Sequence, residues 1–419
     1  MSNSESDTGG LGIESTPRPK PTCRPDDYIN RLPNELLCAI FMLCGGPGPI
    51  HPYPRKQLLH TWYMNRTEYI VHRHSEAAIR LGRVCTRWRA VTRSYPPLWT
   101  VVDIRPTTRS AIPTLNMCLA LSAGLPLELH FHNMAPDNYP GVCRYMSLVA
   151  ANAHRWKELT IEISDEYRVL QPLLAVSAGS FVSLSKAHVD VVQRCAGDST
   201  PDTLLWGILL TSPNLRVINW SQNAYIRRGI PSAPLRQLTE LGLQAMEPDM
   251  LLPILGGCSN IEVLLLRGCV DDPTRGDLPL AQSSYSLPRL RFLMLCGQFN
   301  WSALFACLAA PALHRLDMSQ TTAHCSAMEE MLQRSNARLR MWSLHGPNAG
   351  QAKDLIALLH GPAAQHLEVL RYDDPWVGQV PGYEGFDLRP HVPRHIVTYT
   401  ADPMCAEIAY EKMMRRQLN

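Results

Sequence analysis

Long apolar runs are missing from this chain of 419 residues, and so is any block of one charge. No stretch of about 18 apolar residues is there to cross a bilayer as a helix. The opening MSNSESDTGGLGIESTPRPKPTCRPDD has no apolar core of the kind a secretory signal needs. The expected compartment is therefore the cytoplasm or nucleus, with no membrane partner. Forty Lys and Arg against 37 Asp and Glu leave a net charge of +3 without clustering, so there is no electrostatic footprint for nucleic acid. The basic clusters RVCTRWRAVTR and MMRRQLN read as solvated helix faces. Cys-x-x-Cys pairs are absent, which removes the common zinc and thiol-redox motifs. The 13 cysteines are odd in number, and Cys38, Cys44, Cys85, Cys118, Cys296 and Cys307 fall in apolar segments. They read as reduced core thiols rather than a disulfide framework.

Signatures of catalysis are equally scarce. There is no Gly-x-Ser-x-Gly elbow, phosphate loop, His-Glu-x-x-His or Gly-x-Gly-x-x-Gly, and each of those arrangements is tied to a specific chemistry. His324-Cys325 imitates a thiol–imidazole pair, but neighbours in a chain rarely point at each other. His51, His60, His72 and His74 have no carboxylate or thiol cluster beside them and read as loop histidines. The sequence therefore carries no expectation of an enzyme, a cofactor or a metal site. What it has is apolar content: 45% hydrophobic residues against 18% charged, enough to bury a full core in most of the chain.

The segment LPNELLCAIFMLC predicts a helix over 32–44, with Pro33 in its first turn and Gly45-Gly46-Pro47 as its stop. Its apolar residues cover more than one face, so it should be gripped on two sides. A second segment, AAIRLGRVCTRWRAVTRSYPPLWTVVDI, repeats Ile79, Val84, Val91 and, one turn offset, Leu81, Cys85 and Trp88 at helical spacing. It ends at Pro96-Pro97 and leads into a short strand, TVVDI. Together these residues resemble the F-box, in the form common among mushroom-forming fungi. Leu32, Pro33, Glu35, Leu36, Leu37, Ile40 and Phe41 match its first helix, and Val84, Cys85, Trp88, Arg89, Pro97, Leu98 and Trp99 match the rest. The resemblance covers about residues 29–104, interrupted by an insertion at about 45–75 where a compact F-box has only a few residues. Part of that insertion, RKQLLHTWYMNRTEYIVHRH, could form an added helix.

The resemblance implies a small all-helical module that docks the Skp adaptor of a Skp–cullin–F-box ubiquitin ligase, and through it a cullin scaffold. The residues it implies at that interface are Leu32, Pro33, Leu36, Leu37, Ile40, Phe41, Val84, Cys85, Trp88, Leu98 and Trp99. The implied role is ubiquitin-dependent protein degradation, with the rest of the chain selecting the substrate. The alternative is a protein-interaction scaffold in which these helices only cap the remainder of the chain.

Past these helices one phrase keeps returning: WKELTI from Trp156, LRVINW from Leu215, LTELGL from Leu238, IEVLLL from Ile261, LRFLML from Leu290, LHRLDM from Leu313, LRMWSL from Leu339 and LEVLRY from Leu367. A degenerate copy starts at Phe181. From Leu215 onward the starts lie 23, 23, 29, 23, 26 and 28 residues apart, the period of leucine-rich repeats. The intervals EPDMLLPILGGC, WSALFACLAAP, SAMEEMLQRSN and AGQAKDLIALLHG are amphipathic and helical in pattern. The consensus Asn after the strand is mostly missing, so the repeats are irregular. The expected fold is α/β: a disordered tail over 1–28, the helical module, an irregular leucine-rich-repeat solenoid over 105–372, and a cap or tail over 373–419.

Strand alternation then divides each phrase, with its first, fourth and sixth residues inward and the third, the fifth and the one after the sixth on the concave face. Candidate substrate contacts are Val263, Leu265, Arg267, Phe292, Met294 and Arg315, with Cys296 in the same apolar patch. Glu240, Gln244, Asp317, His345, Arg371 and Asp373 are expected around it. The tail, with Trp376, Tyr383 and Phe386, could instead fold over this patch, HIVTYT as a last strand and AEIAYEKMMRRQ as a closing helix.

Overall fold

The computed structural model describes residues 28–45, 74–104, 111–133, 139–164, 167–192, 200–222, 235–244, 248–267, 284–297, 301–319, 324–345, 352–373 and 388–400. The N-terminal tail, most of the insertion, and the tail residues Trp376, Tyr383, Phe386 and AEIAYEKMMRRQ lie outside these.

Three helices come first: α1 (Asn34–Cys44), α2 (His74–Leu81) and α3 (Thr86–Ser94). Helix α1 begins two residues later than the sequence pattern suggests. Pro33 is extended at φ −52°, ψ 150°, and so precedes the helix as its N-cap; Gly45 closes it. The second segment is two helices, not one, because the chain turns between Leu81 and Thr86. A Cβ at Gly82 would lie 3.1 Å from the Ala78 carbonyl and 3.2 Å from Thr92 Oγ1, so glycine lets the turn pass close to α3. Cys85 restarts the chain as an N-cap, its Sγ accepting the Trp88 N–H at 3.4 Å.

The remainder is built on parallel strands: β1 (Val101–Ile104), β2 (Leu127–Asn133), β3 (Trp156–Ser164), β4 (Lys186–Val192), β5 (Val217–Gln222), β6 (Glu240–Gln244), β7 (Val263–Arg267), β8 (Tyr285–Ser286), β9 (Phe292–Cys296), β10 (Leu308–Ala309), β11 (Arg315–Ser319), β12 (Met341–His345), β13 (Val369–Asp373) and β14 (Val397–Thr400). Twelve of them form one sheet in chain order, β8 and β10 alone forming a separate parallel pair. Parallel neighbours need a crossover. Helices supply most of them: α4 (Ala111–Leu121), α5 (Tyr139–Ala151), α6 (Gln171–Leu174), α7 (Thr200–Leu210), α8 (Pro248–Gly257), α9 (Ser302–Cys307), α10 (Cys325–Ser335) and α11 (Ala352–His360). The described residues thus form a mixed α/β fold with eleven α-helices.

One column of the sheet shows why these residues make it. Val102, Leu129, Leu159, Ala187, Ile218, Leu241, Leu264, Leu293, Leu316, Trp342 and Leu370 are in register on successive strands, and all are fully buried. Each Leu so placed stabilises by about 1.5–3 kcal/mol relative to exposure. The register also moves the degenerate phrase. Ala187 and Val189 are its inward strand residues and Leu184 its buried leader, so the copy starts at Leu184, three residues after the position the sequence suggests. Two strands, β1 and β2, precede the phrase that starts at Trp156, and β14 places HIVTYT at the far edge, paired to β13.

At three places a polar side chain ties a unit to the one before. The Ser212 hydroxyl lies on the carbonyls of Phe181 and Leu184, Gln237 donates to the Leu210 and Ser212 carbonyls, and Arg334 donates to those of Phe305 and Leu308. These bonds satisfy buried or part-buried carbonyls at the ends of helices and in the turns that follow them. The N-terminal helices join the same core: α2 packs on β1, and Leu37, Phe41, Ala78, Val91, Leu98 and Trp99 share one buried cluster with Val102. Trp99 Nε1 donates to the Thr92 carbonyl at 2.8 Å. No helix among the described residues is long and apolar enough to cross a membrane.

Candidate docking surfaces

Helix α1 has two apolar faces, and only one is used internally. Leu37 and Phe41 point into the core, where the Phe41 ring lies 5.0 Å from that of Trp88. On the neighbouring stripe, at i, i+4 and i+7, Leu36 is 51% exposed, Ile40 is partly buried and Leu43 is 80% exposed. Val84, in the turn between α2 and α3, is 62% exposed. Arg87 in α3 donates to the Leu32 carbonyl and to Asn34 Oδ1, which ties α3 to the start of α1.

The eleven residues implied at an adaptor interface therefore separate. Leu36, Val84 and Pro33 are open, Leu32, Ile40, Cys85 and Trp88 are half-buried, and Leu37, Phe41, Leu98 and Trp99 are core. The sequence pattern did not single out Leu43 as a surface residue, although its place seven residues after Leu36 carries that signal.

A second surface is the face of the sheet opposite the core column. Val263 stands beside Phe292, Leu265 beside Met294 and Arg267 beside Cys296, so the expected cluster is contiguous. It is shallower than expected: Val263, Phe292 and Met294 keep partial exposure while Leu265 and Cys296 are buried. Arg315 lays its guanidinium 4.3 Å from the centre of the Phe292 ring and donates both Nε and an Nη to Asp317, the latter at 2.7 Å. Asp317 and Arg371, expected around the patch, are buried instead, in one row with Ser343. The side chains of Gln244, His345 and Asp373 lie outside the described residues.

On the same face toward the N-terminus lies a polar row that the sequence reading missed. Asp103, His130, Thr160, His188 and Asn219 are in register on β1 to β5. The alternation in LELHFHN and KAHVDVV signals it, because each polar residue sits between two inward apolar ones. Asn219 Nδ2 lies 3.0 Å from His188 Nδ1 and donates to Glu240 Oε1 at 3.0 Å. Burial, then the charges of Lys186 and His130, push the His188 pKa down to about 3, so this imidazole is neutral at physiological pH. Asn219 Oδ1 fits against Gly242, which has no side chain to block it.

Burial raises Cys118, Cys258 and Cys325 to about 12, and thiols held protonated are poor nucleophiles. No group of three or more His, Cys, Asp or Glu that could hold a metal ion occurs among the described residues. No family model matches the chain, and no curated protein matches it at a significant level.

Proposed function

We propose that the chain is a substrate-recognition adaptor of a Skp–cullin–F-box ubiquitin ligase. In this reading, α1 to α3 are the F-box, the sequential parallel strands and their helices are an irregular leucine-rich-repeat solenoid, and the concave face holds a protein substrate. The observation that carries the reading is the second apolar stripe of α1. Leu36 and Leu43, and Val84 in the turn before α3, remain open after the helices have packed on the sheet. A module serving only as an end cap has no use for that surface, whereas an adaptor site needs it. The work done is tethering, which raises the effective concentration of the substrate at a transfer enzyme carried by the partners. Catalysis would belong to those partners.

The scaffold reading has its own support, since α2 packs directly on β1 and closes that edge of the sheet. Co-purification with the Skp adaptor separates the two. Wild type should carry the adaptor through size exclusion, while Leu36→Asp and Leu43→Asp should lose it with unchanged circular dichroism. Absence of adaptor from the wild-type peak would leave the helices as a cap and the protein as a scaffold.

A further inference from the structure

The residue preceding each strand forms another in-register row, along the edge of the sheet where the strands begin. From β7 to β13 that row reads Glu262, Arg291, His314, Arg340, Glu368. The backbone fixes it: the Arg291 N–H donates to the Glu262 carbonyl at 2.8 Å, His314 to Arg291 at 3.1 Å, Arg340 to His314 at 2.9 Å and Glu368 to Arg340 at 2.8 Å. Strands lie ~4.8 Å apart, so the two arginines start about 10 Å from each other. Their side chains are open, 63% for Arg291 and 55% for Arg340, and each meets its glutamate only at 3.8 and 3.7 Å. Pairs this long and this solvated hold an arginine weakly. Arg289 and Arg338, two residues upstream, are exposed on the same edge. His314, between the arginines, is half-buried; burial foremost lowers its pKa, opposed by a bond to the Ala312 carbonyl and reinforced by Arg291, Arg340 and Arg315. Guanidinium charge is thus concentrated around a neutral centre.

We propose that this row docks an extended acidic segment of a partner protein, carrying two carboxylates three residues apart. In a polyproline II segment, which has three residues per turn, residues three apart face the same way about 9 Å from each other, close to the separation of Arg291 and Arg340, and a guanidinium fork matches a carboxylate with two parallel bonds. Glu262 and Glu368 sit one strand beyond each arginine and repel further negative charge. That pattern selects against a uniformly anionic strand such as nucleic acid. The inference rests on the reading that the repeats hold a protein substrate, and it names the chemistry of the segment they hold.

Fluorescence anisotropy with the full-length chain tests it. The probe is a labelled twelve-residue Gly/Ser peptide with two Asp three residues apart, against the same peptide with both Asp changed to Asn. The expected result is binding of the Asp peptide about tenfold or more tighter, weakened as salt rises and lost in Arg291→Glu/Arg340→Glu. Both positions are exposed, and thermal denaturation checks that the double variant is folded. Equal affinity for the two peptides, or a preference that survives the double variant, overturns the proposal. So does a single-stranded oligonucleotide that binds the wild type more tightly than the peptide and is released by the double variant. Adaptor co-purification of the same samples separates the two readings. Retained adaptor without peptide preference sinks this inference alone, while peptide preference without adaptor supports it and sinks the ligase reading.

Discussion

A methyl group added at Gly242 should cost far more than its size, and the cost should vanish when Asn219 is removed. An ideal Cβ there lies 2.1 Å from Asn219 Oδ1 and 2.9 Å from its Cγ, so the amide must rotate away. That rotation gives up the bond to the Glu240 carboxylate and the contact with His188 Nδ1, both at 3.0 Å. A hydrogen bond to a charged group is worth ~1.5–3 kcal/mol and a neutral one ~0.5–1.5, giving a loss of about 2–4.5 kcal/mol. Replacing a strand glycine by alanine returns ~0.5–1 kcal/mol of backbone entropy. Gly242→Ala should therefore destabilise by about 1–4 kcal/mol in wild type, yet be neutral or slightly stabilising in Asn219→Ala, a coupling of about 2–4.5 kcal/mol between the sites. Urea denaturation of the wild type, both single variants and the double variant, followed by far-ultraviolet circular dichroism, measures all four corners. A change below about 0.5 kcal/mol for Gly242→Ala in wild type, or the same penalty in both backgrounds, would refute the reasoning and with it the register that sets Asn219 beside Gly242.

Three further outcomes are expected. Phe41→Ala, which empties a fully buried site against Trp88, should cost about 3–5 kcal/mol, while Leu36→Asp on the open stripe of the same helix should stay within about 1 kcal/mol by the same denaturation assay. His188 keeps a folded pKa of about 3, below its ordinary value of 6.5. Above pH 6.5 it contributes nothing to the pH dependence; below it the unfolded state takes up a proton that the folded state does not, so stability falls until about pH 3. At pH 5 the loss from this group is about 2 kcal/mol, and His188→Gln should remove that share of the decline between pH 7 and pH 5. Finally, Cys44 is exposed while burial holds Cys118 and Cys258 near 12. Iodoacetamide followed by peptide mass mapping should label Cys44 in the native protein, and Cys118 and Cys258 only after denaturation.

The repeating phrases were legible because the inward positions are filled by Leu on strand after strand, as in Leu241, Leu264, Leu293 and Leu316. Where the inward residues change type the phrase fades although the strand does not. In β1 the inward residue is Val102, and in β4 it is Ala187, the latter displacing the apparent start of its copy by three residues. The break between α2 and α3 was hidden for a different reason: apolar spacing carries on through Gly82, and the close approach that demands glycine there is tertiary. Alternation gave the contents of the cluster on the face opposite the core column, but not its depth. How far Leu265 and Cys296 are closed over depends on the side chains of neighbouring strands. Asp317 shows the same limit: it is buried in the sheet face and paired with Arg315, two residues away on the same strand. The two faces of α1 were legible as surplus apolar surface; which face packs and which stays open was not, because the core that claims Phe41 is built from Trp88, Leu98 and Trp99 further along the chain.

Hydrogen exchange read by mass spectrometry tests the open stripe of α1 most directly. The full-length protein would be compared alone and with a saturating amount of purified Skp adaptor. The expected result is slowed exchange in peptides spanning Asn34–Cys44 and the Val84 turn, with peptides from β5 to β13 unchanged. No complex, or protection confined to the sheet with α1 unaltered, would contradict the assignment of Leu36, Leu43 and Val84 to an adaptor interface.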